Sequence, residues 1–284
     1  MKPVPLYYFQ GAGREGGNFG DVLAPYLVKK ITGRDTVGTA PDNWGWPDVD
    51  RTALPPGYMV IGSVCALAGP NQKVWGCGVM NPDREMCAGA KFYAVRGPLS
   101  RIVLESKGFV VPDIYGDPAL LLPRYYDNPV EMKHEIGFIP HYINNEDCVE
   151  RFPGAFQIDL LGHPIGEGLF GKLESTIDKI RSCRVIVSTS LHGVIVAHAY
   201  GIPAVWATFS KGARQLSGGK WRFFKFQDYY LSVGMLPPKA PVDLSDPSVT
   251  VEDLISMCPE SVDLDIDLDK LLAACPIPKA DPVE

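Results

Sequence analysis

Short apolar runs alternate along the chain with segments whose apolar residues recur every three or four positions, a pattern that predicts parallel sheets with crossover helices. In the first half the runs read as strands over Leu6 to Phe9, Tyr58 to Ser63, Lys73 to Gly78, Phe92 to Arg96 and Ile114 to Tyr115. Between them, Val22, Leu23, Tyr26, Leu27 and Ile31 mark one face of a helix over Asp21 to Ile31, closed by Gly33. Pro98 opens a second helix, Leu99 to Lys107, and Gly108 stops it. The segment Arg34 to Asp42 reads as no hydrophobic strand.

A polar stretch with two prolines, Leu122 to Glu135, reads as a linker. Beyond it come strands over Ile136 to Ile139 and Phe156 to Leu160, then a helix over Leu173 to Ser182. A strand–helix–strand unit follows: Arg184 to Val187, the turn Ser188-Thr-Ser-Leu-His192, a helix over Gly193 to Tyr200, Gly201 as its stop, and Pro203 to Ala207. From Pro237 the tail is acidic and proline-rich, with short helices over Val251 to Met257 and Leu268 to Ala274. The expected fold is therefore α/β, two Rossmann-like domains over residues 1–125 and 126–284, the second carrying the helical tail. Ligands in such folds gather at the carboxyl ends of the strands. That selects the loops at Gly11 to Asp21, Arg96-Gly97, Gly116-Asp117, Pro140-His141-Tyr142 and Ser188 to His192.

Composition narrows the ligand. A net charge of −6 over 284 residues argues against a surface that tracks nucleic acid, so any anion must be held by a local group of cations. Seven dispersed cysteines without a C-x-x-C motif fit a reducing compartment. With neither a leader nor a membrane-spanning run, the expectation is a cytoplasmic protein working near a membrane surface. No H-E-x-x-H motif or dense carboxylate cluster points to a metal.

The loop after the first strand contains a literal G-x-G-x-x-G at Gly11, Gly13 and Gly16. The expected helix starts too far beyond Gly16 and no acid-terminated second strand follows, so a dinucleotide is disfavoured. Asn18 and Asp21 are each able to cap that helix. The turn at Ser188 to His192 places three hydroxyls and an imidazole at a helix start, where unpaired N–H groups favour anions. Capping by Ser190 or Thr189 explains the hydroxyls equally well. A Ser/His hydrolase lacks its G-x-S-x-G elbow, and His198, six residues past His192, reads as structural. Arg96, at a strand's carboxyl end, reads as an anion clamp or as an ion-pair partner of Asp117 or Glu105.

These pieces, in order, resemble the polysaccharide pyruvyl transferases, and among them the bacterial exopolysaccharide ketal-pyruvate transferases. The matching residues are Gly17-Asn-Phe-Gly-Asp21, Trp75-Gly-Cys-Gly78, Val95-Arg-Gly-Pro98, Gly116-Asp-Pro118, Ile139-Pro-His-Tyr142, Ser188-Thr-Ser-Leu-His-Gly193 with Tyr200-Gly-Ile-Pro203, and Phe224-Lys-Phe-Gln-Asp-Tyr229. The resemblance implies a GT-B-like fold and transfer of pyruvate from phosphoenolpyruvate to a sugar diol of a glycan repeat, giving a cyclic ketal and phosphate. It implies no further cofactor, a glycan acceptor that is free or lipid-linked, and peripheral association with membrane-bound glycan assembly machinery.

On this reading His192 is the proton donor or a phosphate-side hydrogen bond, with His141 or Asp21 relaying the proton of a sugar hydroxyl. Arg96, Ser188, Ser190, Asn18 and Gly20 bind the donor, and Lys225, Asp228 and Tyr229 contact donor or acceptor. One departure stands out: many members carry arginine where this chain has Ser190, although the exopolysaccharide branch often has Ser-Leu-His, as here. The missing charge would come from Arg14, Lys211, Arg214 or Lys220. The competing readings are a nucleotide-sugar glycosyltransferase of similar architecture and a glycan- or anion-binding paralogue without catalysis.

Overall fold

The computed structural model describes residues 2–10, 17–45, 48–163, 168–210 and 221–280. The first half contains β1 (Val4–Leu6), α1 (Phe19–Thr32), β2 (Thr36–Gly38), β3 (Gly57–Met59), β4 (Gln72–Trp75), β5 (Lys91–Ala94) and α2 (Pro98–Ser106), followed by a 3₁₀ helix, Pro118–Arg124. The second contains β6 (His134–Ile139), α3 (Asn145–Arg151), α4 (Leu169–Arg181), β7 (Cys183–Ser188), α5 (Leu191–Ala199), β8 (Ala204–Thr208), α6 (Phe224–Ser232), β9 (Val242–Asp243), α7 (Val251–Ser256) and α8 (Leu268–Ala273).

Two parallel sheets result, in the orders β2-β1-β3-β4-β5 and β6-β7-β8-β9. The architecture is α/β, as the alternation of patterns predicts, and is consistent with Rossmann-like units. In the first sheet the order reverses between β1 and β3, so the loop after β1 opens at a switch point. That loop ends at Gly17 and Asn18 and leads into Phe19 to Asp21, the start of α1.

Four segments differ from the expected elements or were not among them. Thr36–Gly38 is a strand, paired with β1 from Val4↔Thr36 to Leu6↔Gly38, although it is too short and too exposed to show a hydrophobic pattern. Phe156 to Leu160 and Ile114 to Tyr115 are instead single parallel bridges, Phe138↔Gln157 and Val95↔Tyr115. Each lies beside a regular strand for only one residue pair. The aromatic run from Phe224 to Tyr230 lies in a helix, which buries Phe224, Phe226, Tyr229 and Tyr230.

Local chemistry sets the ends of α1. The Asn18 side chain accepts a hydrogen bond from the Gly20 N–H at 3.0 Å, and Gly33 closes the helix at φ 73° while donating to the Lys29 carbonyl. Pro25, inside the helix, has no N–H for the Asp21 carbonyl four residues back.

One hydrophobic cluster draws on both halves, including Leu23 and Leu27 of α1, Leu121 and Leu122 of the 3₁₀ helix, Leu173 and Ile177 of α4 and Val194 to Ala197 of α5. Leu122, where the linker was expected to begin, is therefore core. The tail returns to the first half: Trp75 Nε1 donates to the Leu271 carbonyl at 2.8 Å, Lys270 Nζ to the Asp113 carbonyl at 2.8 Å, and the Ala280 N–H to the Thr32 carbonyl at 2.7 Å. Among the described residues no helix is long and apolar enough to cross a membrane.

Because Leu271 is fully buried in that shared cluster, Leu271→Ala is expected to lower unfolding stability by about 2–5 kcal/mol in urea titration. A loss under about 1 kcal/mol would show the tail to be a detachable appendage.

Candidate active site

The chain is tied to the second half where the loop after β1 meets α1. Gly17 and His163 exchange backbone hydrogen bonds of 2.7 and 3.2 Å, and the Phe19 N–H donates to the Leu160 carbonyl at 2.8 Å. This places Gly20 directly under the imidazole of His192. A Cβ on Gly20 would lie 2.0 Å from His192 Nδ1, closer than any side chain tolerates, so glycine here is a requirement for space.

His192 sits in the first turn of α5, after a turn whose hydroxyls hold the backbone. Ser188 Oγ accepts from the Ser190 N–H at 3.0 Å and lies 2.8 Å from the Ser190 carbonyl and 3.0 Å from that of Ile139. Thr189 Oγ1 accepts from the His141 N–H at 2.7 Å. Ser190 occupies the N-cap position, yet its side chain makes no capping bond. The helix start therefore keeps N–H groups without a side-chain cap.

Asp117 comes from the first half. Its Oδ1 accepts from the Ala119 N–H at 3.0 Å, capping the 3₁₀ helix, while Oδ2 lies 3.7 Å from His192 Nε2. From α6 comes Lys225, half-buried one turn before Asp228.

The electrostatics join these residues. Burial pushes the Asp21 carboxyl up to about 6, against the pull of His192 and Lys225, and pushes the Lys225 ammonium down to about 8, with Arg96 acting in the same direction and Asp21 opposing it. At neutral pH Asp21 is an anion and Lys225 a cation, both poised near their titration points.

Arg96 lies beneath this group with no exposed surface. Its Nη2 is 3.1 Å from Asp228 Oδ2, its Nε donates to the same oxygen at 3.2 Å, and its Nη1 donates to Ser63 Oγ at 2.7 Å. Asp228 also accepts from the Ser100 N–H at 2.8 Å and the Ser100 hydroxyl at 2.6 Å. A groove of ≈ 440 Å³ lined by residues 89–93 and 108–110 opens at the amino end of β5, the opposite end from Arg96. The charged group, rather than that hollow, marks the site.

The sequence profile of the polysaccharide pyruvyl transferase family matches residues 74–209. An uncharacterized protein of Acanthamoeba polyphaga mimivirus, L143, is 32% identical over 212 residues, which cover 73% of this chain and 68% of that protein. The chain belongs to the polysaccharide pyruvyl transferase family. The family match includes Arg96, Asp117, His141 and Ser188 to His192, whereas Asp21 and Lys225 lie outside its span and are joined to it by the geometry.

Within this member of the family several expected site residues do other work. Arg96 is paired with Asp228, not with Asp117 or Glu105, and Glu105 pairs with Arg101 at 2.9 Å. Ser188 and Asp228 are fully buried with their oxygens committed to protein donors and acceptors, so neither offers a ligand surface. Tyr229 is also fully buried, its hydroxyl 3.1 Å from His198 Nδ1. Asn18 caps α1, and the bond it accepts occupies the Gly20 N–H. The His141 ring packs on Tyr142 at 4.2 Å, and its backbone N–H holds the Ser188 to His192 turn.

Burial pushes His163 and His198 down to about 4, so both are neutral at pH 7. The glycines at 11, 13 and 16, and Arg14, Lys211, Arg214 and Lys220, lie outside the described residues. Among the described residues no group of three His, Cys, Asp or Glu side chains is arranged to hold a metal ion. Sequence reasoning missed Asp117 as a neighbour of His192 and Ser63 and Ser100 as partners of the buried pair. The signal for Asp117 was its place just past a strand, after a glycine.

Breaking a buried pair strands a charge. Asp228→Ala is therefore expected to destabilise the fold by about 3–5 kcal/mol in denaturant titration. A loss below about 1 kcal/mol would show that Arg96 is free to serve a ligand.

Proposed function

We propose that this family member takes pyruvate from phosphoenolpyruvate and joins it across two hydroxyls of a sugar in an exopolysaccharide or cell-surface glycan repeat, forming a cyclic ketal and releasing phosphate. The reading is carried by the convergence of His192, Asp21 and Lys225 at the carboxyl ends of both sheets in a chain of this family. Two parallel sheets whose carboxyl-end loops share one group of charges also support a GT-B-like arrangement.

The chemistry needs an acid, a base and a cation. Protonated His192 delivers its proton to the methylene carbon of phosphoenolpyruvate, and one sugar hydroxyl attacks the adjacent carbon as Asp21 accepts that hydroxyl's proton. The carbon–oxygen bond to phosphate then breaks, phosphate leaving with the electron pair. The second hydroxyl closes the ring and its proton goes to the departing phosphate, while the proton on Asp21 returns to His192. Lys225 and the N–H groups at the start of α5 hold the donor's anionic groups. Arg96 acts through α6, fixing the helix that carries Lys225. Reduced cysteines, all seven free, fit a cytoplasmic site of action on a free or lipid-linked acceptor.

Ser190, standing where many members have arginine, keeps a non-catalytic glycan-binding role in play as the second reading. Phosphate release from phosphoenolpyruvate in the presence of pyranoside diols separates the two: release that depends on the diol is expected, and binding without release with every acceptor would leave the second. His192→Ala is expected to lower that rate by about 10²–10⁴-fold with folding intact, and a retained rate would remove His192 from the chemistry.

Lys225→Ala is expected to raise the donor KM more than about tenfold with a smaller change in kcat. Since Lys225 loses its charge above about 8, donor KM rises as pH increases through that value. Lys225→Arg keeps its charge and flattens the rise. A pH-independent donor KM in the unmodified enzyme would exclude Lys225 from donor binding.

A further inference from the structure

Two polar atoms inside the site are sealed from solvent and make no hydrogen bond: His192 Nε2 and Asp117 Oδ2, 3.7 Å apart. We infer that Asp117 is a positioning residue for His192, its carboxylate holding Nε2 as the protonated nitrogen so that Nδ1 is the nitrogen that gives and takes the reacting proton. This rests on His192 being the proton donor proposed above.

The carboxylate is held in place by its other oxygen. Oδ1 is fixed by the Ala119 N–H at 3.0 Å, and the Asp117 side chain has no exposed surface. Oδ2 therefore points at the imidazole without freedom to turn toward water. A buried acceptor beside a buried donor is a strong arrangement when the two meet, and catalytic hydrogen bonds in free enzymes are often long before substrate binds. Nδ1 is not among the sealed atoms, and Gly20 leaves it room.

Asp21 faces His192 from α1, Lys225 from α6 acts on Asp21, and Tyr229 and Cys77 lie within the field of Asp117. Burial raises both Tyr229 and Cys77 well above their usual ranges, so neither competes as an anion. The competing role for Asp117 is purely local, the capping of the 3₁₀ helix.

Asp117→Asn separates the two roles. Its amide oxygen still accepts from the Ala119 N–H, while its NH₂ group faces Nε2 and turns that nitrogen into an acceptor. Imidazole ¹⁵N NMR on the free protein reads the outcome, with His192→Gln identifying the resonances among five histidines. In the unmodified protein the neutral His192 ring is expected as the Nε2–H tautomer.

In Asp117→Asn the Nδ1–H tautomer is expected, with the His192 titration midpoint at least about one pH unit lower and kcat for diol-dependent phosphate release down by about 10²-fold or more. An Nδ1–H tautomer in the unmodified protein overturns the inference, as does an unchanged tautomer and midpoint in Asp117→Asn. The unmodified protein decides alone if the variant does not fold. The tautomer is measured without substrate, so a protein that holds Nε2–H yet releases no phosphate leaves the positioning role standing and overturns the proposed reaction.

Discussion

The buried pair of Arg96 and Asp228 is the contact on which the arrangement of the site depends. It joins the carboxyl end of β5, the start of α2 through Ser100 and the middle of α6 in one set of charge-assisted hydrogen bonds. The guanidinium also donates to the Val79 carbonyl at 3.2 Å and lies so close to Gly78 that a Cβ there would sit 2.3 Å from Cζ. Such pairs add little net stability, because desolvating two ions costs about what their attraction returns. What they confer is position: α6 has one orientation that satisfies Asp228, and that orientation carries Lys225 to Asp21.

A second constraint is steric and crosses the two halves. His192 on α5 fits only because Gly20 on α1 has no side chain, and α1 is anchored to the second half at Gly17 and Phe19. The start of α1, just past the loop with the dinucleotide-like glycine spacing, contributes a floor for an imidazole at Gly20 and an acid one residue later. Its helix start is already capped by Asn18, so the uncapped start of α5 is the one suited to an anion.

These features differ in how far the sequence shows them. The unit from β7 through α5 to β8 is legible within two residues, since buried apolar runs and a glycine stop mark it locally, and the miss is at the start of α5, where Leu191 and His192 join the helix. Thr36–Gly38 escapes because a three-residue edge strand has neither length nor a buried face to pattern. The helix of α6 escapes because its aromatic run has the composition of a strand. In the site, His192, Asp21 and Lys225 carry visible chemistry, and the order of motifs joins them. The pairing of Arg96 with Asp228 spans 132 residues, and the space above Gly20 belongs to a residue far along the chain. No local pattern encodes either contact.

The charge balance of the site bears on how the proposed reaction begins. Arg96 and Asp228 cancel, and Lys225 balances Asp21, so these four groups give no net pull on a highly charged donor. Asp117 adds a further negative group beside His192. Among the described residues, the attraction that remains comes from the start of α5 and from His192 itself once protonated. A donor anion held there binds the imidazolium form more tightly than the neutral ring, and by reciprocity raises the affinity of His192 for its proton. In the proposed reaction, loading the substrate and loading the acid then become one coupled step, which confines proton delivery to the moment the donor is present.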